Sequence, residues 1–225
     1  MTRSFKICKR DTPDYSSCLR LAIQETWMPI IKGIPELGLP VMDPYYIDFM
    51  EHEYESGDIA GRLVLRNTTT YGLAKTRFLA VRPSFTGDRV NLEVDIEIPK
   101  VFIDGFYKAE GAIGPYKIGG KGYFNVSMEG ISATWGIEGR VNEYDRLVVE
   151  HFHVFPEVES MKVYFTDLFN GDEALNKMAL TFVNEYWQVI YKSMLPIVEK
   201  EWDHHLAYFV NDKFFSKIPA SKLFP

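Results

Sequence analysis

The stretch that most constrains this chain runs from Asp167 to Phe209: DLFNGDEALNKMALTFVNEYWQVIYKSMLPIVEKEWDHHLAYF. Asp172 and Glu173 sit where the positive end of a helix dipole favours acids. Lys177, Thr181, Asn184, Gln188 and Lys192 fall on one narrow polar stripe. The rest is apolar: Leu175, Met178, Leu180, Phe182, Val183, Tyr186, Trp187, Val189, Ile190 and Tyr191. That arc covers more than half the circumference, against the ~100° of a typical surface helix. Unbroken from Asp172 to Tyr208, the helix would be roughly 50 Å long at about 1.5 Å per residue. Pro196 is expected to kink it. A helix so apolar cannot lie on a flat sheet with half its surface in water, so a sheet must curl around it.

The middle of the chain can supply that sheet. From Tyr46 to Phe165 the hydrophobic period is two. In RVNLEVDIEIPKVFIDG, Val90, Leu92, Val94, Ile96 and Ile98 alternate with Asn91, Glu93, Asp95 and Glu97, one dry face and one wet. The runs NVSMEG, SATWGIEGRV and RLVVEHFHVF behave similarly. Turn signals at Gly87-Asp88, Gly119-Gly120 and Asn142–Asp145 divide the region into seven to nine strands with antiparallel neighbours. A first helix precedes it: Ser16 and Ser17 are N-cap candidates, and Leu19, Ile23, Trp27 and Ile30 or Ile31 share one face. Pro29 should kink or end that helix, and Gly33 should stop it. The order is a short helix, many strands, then a long helix. It defines an α+β fold in which a strongly curved antiparallel sheet wraps one long C-terminal helix, read as one domain over residues 1–225.

Both cysteines lie near the start, Cys8 and Cys18. No histidine is near them, which argues against a zinc site, and the spacing is too wide for a C-x-x-C dithiol. Two free thiols or one disulfide remain. The intervening KRDTPDYSS carries turn residues that let the ends meet, and a disulfide would place the protein in an oxidising compartment. The basic stretch TRSFKICKR lacks the apolar core of a signal peptide, so the chain is read as a mature form. The net charge of −6, with no basic cluster, argues against nucleic acid. No run approaches the ~20 apolar residues of a bilayer span. Asn67 and Asn125 head N-x-S/T sequons.

Motifs for chemistry are sparse. There is no G-x-S-x-G elbow. GAIGPYKIGGKGY has Pro115 and Gly122 where a P-loop needs Gly and Ser or Thr, so its glycines read as a sharp bend in a strand. His151 and His153 alternate on one strand and face one side. They could begin a metal site, but no third ligand has motif spacing, although Glu51, His52 and Glu53 could approach in space. No metal and no cofactor is expected. His204 and His205 read as helix-end residues serving solubility and the dipole, and Asp95 and Glu97 as solvated. At 15% aromatic, with eight Met, the chain has either a well-filled core or an apolar cavity with aromatic walls.

Five segments in order carry a resemblance over essentially the whole chain. They are the Cys8/Cys18 pair ahead of a helix, KGIPELGLPVMDP, EGAIGPYKIGGKGYFNVSMEGI, DLFNGDEALNKMALTFVNEYWQVI and FSKIPASKLFP. Together they resemble the insect takeout and juvenile-hormone-binding protein family. The resemblance implies a secreted carrier, with a Cys8–Cys18 disulfide pinning the first helix. It also implies an elongated apolar tunnel for a terpenoid, juvenile-hormone-like or fatty-acid-like ligand. Carriers of juvenile hormone proper have a second disulfide near the C-terminus. Here no cysteine follows Cys18, which places the chain on the takeout side. Expected tunnel walls are Ile23, Trp27 and Ile31 from the first helix, Val126, Met128, Trp135 and Ile137 from strands, and Phe182, Tyr186 and Ile190 from the long helix. Trp135 and Tyr186 could orient a polar head. The expected protein is a monomer that binds a hydrophobic small molecule and does not insert stably into membranes. A ligand-delivery module for a receptor or membrane, or a lipid-ester hydrolase, is the alternative.

Overall fold

The computed structural model describes residues 7–56, 59–113 and 116–225. Most of the basic N-terminal stretch and Gly114-Pro115 of the glycine-rich segment lie outside them. Helix α1 spans Tyr15–Ile31. Six antiparallel strands follow: β1 (Tyr45–Ser56), β2 (Ile59–Tyr71), β3 (Arg77–Thr86), β4 (Arg89–Ile113), β5 (Tyr116–Val141) and β6 (Leu147–Phe165). Then come α2 (Glu173–Glu185), α3 (Trp187–Val210), a π-turn at Asn211–Phe215 and the short α4 (Ala220–Leu223). The open sheet has the order β1-β2-β4-β5-β6. One edge of β4 is shared: β3 pairs with its first half, from Arg89 to Glu97, and β2 with its second, from Phe102 to Ile113.

Six strands replace the seven to nine expected because β4 and β5 are 25 and 26 residues long. Gly119-Gly120 is not a turn but part of β5. A Cβ at Gly120 would meet the carbonyl oxygen of Asp167 at 2.0 Å, and one at Gly122 would strike Thr166. They are small because the segment leaving β6 crosses directly over them.

A crease crosses the sheet. On β4 the buried residues are Val90, Leu92, Val94, Ile96 and Ile98, then Val101 and Tyr107. Strict alternation would have kept even numbers inward, and the parity changes across Pro99-Lys100. On β5 it changes at Gly130, whose φ is +60°: Met128 and Ile131 both pack on the same core. A two-residue period survives on each side, so Val126 and Met128 share a face with Ile131, Ala133, Trp135 and Ile137 through pairing with Ile103, Val101, Ile98, Ile96, Val94 and Leu92.

Helix α1 begins at Tyr15, so the serines proposed as caps lie inside its first turn. Asp14 occupies the N-cap without a side-chain bond. Pro29 falls inside the last turn, and Gly33 stops the helix at φ +81°. The Cys8–Cys18 disulfide is formed, with Cα atoms 5.7 Å apart, and buries Cys8 in the core beneath α1. The long helix also differs from expectation. It breaks at Tyr186 (φ −108°, ψ 19°), and Pro196 lies within α3. His204 and His205 consequently lie inside α3, short of its end at Val210. Asp95 and Glu97 are paired across strands, with Arg82 and Arg77.

Candidate functional site

Two apolar clusters fill one half of the molecule. In the first, α1 closes over β3, β4 and β5. Trp27, Phe78 and Trp135 form a triangle with ring centroids 5.2, 5.7 and 5.9 Å apart. The Trp27 indole donates to the Leu73 carbonyl at 2.9 Å, so its one polar group is already satisfied. Ile31 is 2% exposed. Ile23, Trp27, Trp135, Ile137 and Met128 pack against this cluster. The second joins Val90, Leu147, Val149 and Phe152 to Ala207 and the C-terminal Phe224.

Beyond the crease the picture changes. The inward face of the sheet there carries Leu63, Leu65, Ile103, Phe124, Val126, Met128, Met161 and Val163, aligned by strand register. None of these is buried. Tyr107 and Phe165 are buried beside them. The Tyr107 phenol donates to the Thr166 carbonyl, and burial pushes its pKa up to about 12.

Helices α2 and α3 run along β6, the edge strand. Here Asn184 departs from the polar stripe assigned to it. Its Oδ1 accepts from Val163 N at 2.9 Å and its Nδ2 donates to Val163 O at 2.7 Å. Asn211 does the same for Val149, at 2.8 Å each way. Asp203 accepts from Phe152 N, and Tyr191 donates to the Pro156 carbonyl. Side chains thus take the place of a missing neighbour strand, meeting backbone groups that an open edge leaves unpaired. Burial raises the pKa of the Tyr191 phenol and keeps it a donor.

The half-buried face of α2, which meets β6 through Asn184, carries Asn176, Leu180, Val183 and Asn184, and Trp187 is half-buried at the start of α3. A second apolar stripe remains: Leu175, Met178, Phe182, Tyr186 and Val189, between 45% and 69% exposed. At ~100° per residue the four up to Tyr186, where α2 ends, lie within roughly 80° of arc. Phe182 and Tyr186 face each other with ring centroids 5.0 Å apart.

The ten expected wall residues therefore divide. Ile31 is core, and Ile23, Trp27, Trp135 and Ile137 are packed against it. Met128 stands at the core's margin, while Val126, Phe182, Tyr186 and Ile190 stand outside both clusters. Leu63, Leu65, Leu175 and Met178, which were not among those expected, also stand outside both clusters, while Ile103 shares the core's margin with Met128. The period-two pattern marked the strand residues as apolar, but only the register across the crease shows which share a face. On the outer side of the sheet, a concavity of about 210 Å³ is lined by Phe49, Glu51, Arg62, Val64, Arg66, Lys108 and Glu110. Its charged walls do not suit an apolar molecule.

An open antiparallel sheet with α1 on one half, and two helices along its edge beside an incompletely covered apolar face, defines a sheet-and-helix architecture with apolar surface to spare. The chain belongs to the haemolymph juvenile hormone binding protein family, whose model matches residues 2–225. Takeout 1 of Epiphyas postvittana has the same fold, with a TM-score of 0.75 at 23% identity over 97% of this chain and 99% of that one. A lipopolysaccharide binding protein structure aligns with 87% of this chain and 37% of its own, at 10% identity and a TM-score of 0.37, too low to bear on the fold. No curated protein matches the chain. Among the described residues, no helix is long and apolar enough to cross a membrane.

Proposed function

We propose that this protein is a secreted, single-domain, monomeric carrier of a long hydrophobic small molecule, held in an elongated tunnel between the inner sheet face and the long helix. The observation that carries this reading is the pair of unburied apolar surfaces beyond the crease. Leu63, Leu65, Val126 and Val163 form one, and Leu175, Met178, Phe182 and Tyr186 the other. Leaving such area open to water is unfavourable by ~25 cal/mol per Å². A ligand covering about 400 Å² of it would gain roughly 10 kcal/mol before the cost of association. No covalent chemistry is required, and the reading is of a carrier rather than an ester hydrolase. Membership of a family described by haemolymph juvenile hormone binding supports a terpenoid-like ligand and secretion. The lack of a cysteine after Cys18 keeps a fatty-acid-like ligand in view.

Native mass spectrometry before and after organic extraction tests the proposal. A defined added mass, released by solvent, is expected. A bare mass, together with no uptake from a panel of terpenoids and fatty acids, would overturn it.

A further inference from the structure

His151 and His153 stand on the edge strand with their rings stacked, centroids 5.3 Å apart and planes 11° from parallel. The third group that sequence spacing could not supply comes from α3. Glu51, His52 and Glu53 are on β1, at the other end of the strand order. Asp203 instead sits 2.9 Å from His151 Nδ1 through Oδ2, while its Oδ1 accepts from Phe152 N at 2.6 Å. One ligand atom from each of His151, His153 and Asp203 lies within 4.8 Å of the other two.

We propose that His151, His153 and Asp203 bind a divalent transition-metal ion of the zinc class and so clamp β6 to α3. The donor set selects this class: two imidazoles and one carboxylate suit zinc, copper or nickel, whereas calcium and magnesium call for all-oxygen shells. Metal–ligand bonds of ~2.0–2.2 Å in a tetrahedron set the donor atoms roughly 3.3–3.5 Å apart. Rotation of the two rings closes the remaining gap, and the His151 side chain is 54% exposed and has room to turn. The carboxylate is already held in place by the Phe152 amide. Asp203 either ligates directly or holds Nδ1 while Nε2 of His151 ligates, the usual carboxylate–histidine support. Glu138 lies directly across from His151 on β5. Glu150 precedes His151 in sequence, and Arg140, the nearby cation, is engaged with Glu150. Local charge therefore favours a cation. Water completes the shell from the solvent side.

The test uses the full chain without a histidine tag and zinc chloride as the probe, titrated calorimetrically and against a chelating dye. One zinc per chain is expected, with His153→Ala and Asp203→Asn each weakening binding tenfold or more. Zinc at a hundredfold excess over the wild-type Kd should raise the Tm of the wild type by roughly 5 °C and that of His153→Ala by about half as much or less. The neighbouring pair His204→Ala/His205→Ala serves as the control and should bind zinc like the wild type. The proposal is overturned if wild type and His151→Ala/His153→Ala bind zinc equally, if no binding appears, or if the control double variant abolishes it.

Discussion

Asn184 closes both backbone hydrogen bonds of Val163, accepting from its N–H and donating to its carbonyl. A side chain on α2 thereby acts as the next residue of a strand that does not exist. Asn184→Ala should leave that donor and acceptor unpaired in a half-buried place and cost about 1–3 kcal/mol. Chemical denaturation measures the loss. Amide exchange should accelerate at Val163 while the β4–β5 ladder remains protected.

Wall residues should separate into two behaviours. Trp27→Ala removes one corner of the aromatic triangle and should cost ~3–5 kcal/mol of stability. Phe182→Ser changes a side chain that is 57% exposed, so stability should move by no more than ~0.5 kcal/mol. Affinity for an apolar probe such as a fluorescent fatty acid should nevertheless fall about tenfold, the ~1.4 kcal/mol expected for part of an aromatic contact. Equal probe affinity in wild type and Phe182→Ser would exclude α2 from the wall.

Gly130 is a second position with a defined cost. Its φ is +60°, and a Cβ there would lie 2.2 Å from the Glu159 carboxylate on β6. Glu159 can swing away, but the left-handed backbone cannot be relieved. Gly130→Val should lower stability by roughly 1–2 kcal/mol even when combined with Glu159→Ala. Full recovery in that double variant would show that the clash alone mattered.

Cys8→Ser/Cys18→Ser opens a short loop that the disulfide closes. The chain-entropy model assigns such a loop about 3 kcal/mol. The unfolding midpoint should fall accordingly, and Tyr15 and Leu19, at the start of α1, should lose protection first in hydrogen exchange.

Acid should release the C-terminus. The Asp145 carboxylate accepts from Ser221 N and from the Ser221 hydroxyl, which hold its pKa below the ordinary carboxylate value. A lowered pKa means that the contribution is complete above about pH 4 and disappears as pH falls through the lowered value. Exchange at Ala220–Phe224 should quicken across that range in the wild type. Asp145→Asn should show the faster exchange at every pH.

Much of this molecule could be read from its residues, because hydrophobic periodicity is local. The apolar helix after Leu-Phe-Asn-Gly, the antiparallel region and the α1 face of Leu19 and Ile31 all rest on neighbours within one or two turns. The element boundaries were less legible. β4 and β5 run on through Pro99 and Gly119-Gly120, since register with neighbouring strands overrides local breakers. Asn184 read as wet by its stripe on the helix, yet it points to an unpaired strand edge that no pattern within the helix can reveal. The same reason hid Asp203 from His151 and His153: the groups are some 50 residues apart in the chain and meet only when α3 lies along β6. Composition left a well-filled core and an apolar cavity both open. Which residues fill the core and which remain open followed from packing, because α1 closes over one side of the crease, while Leu63, Leu65, Val126 and Val163 on the other side stand outside both clusters.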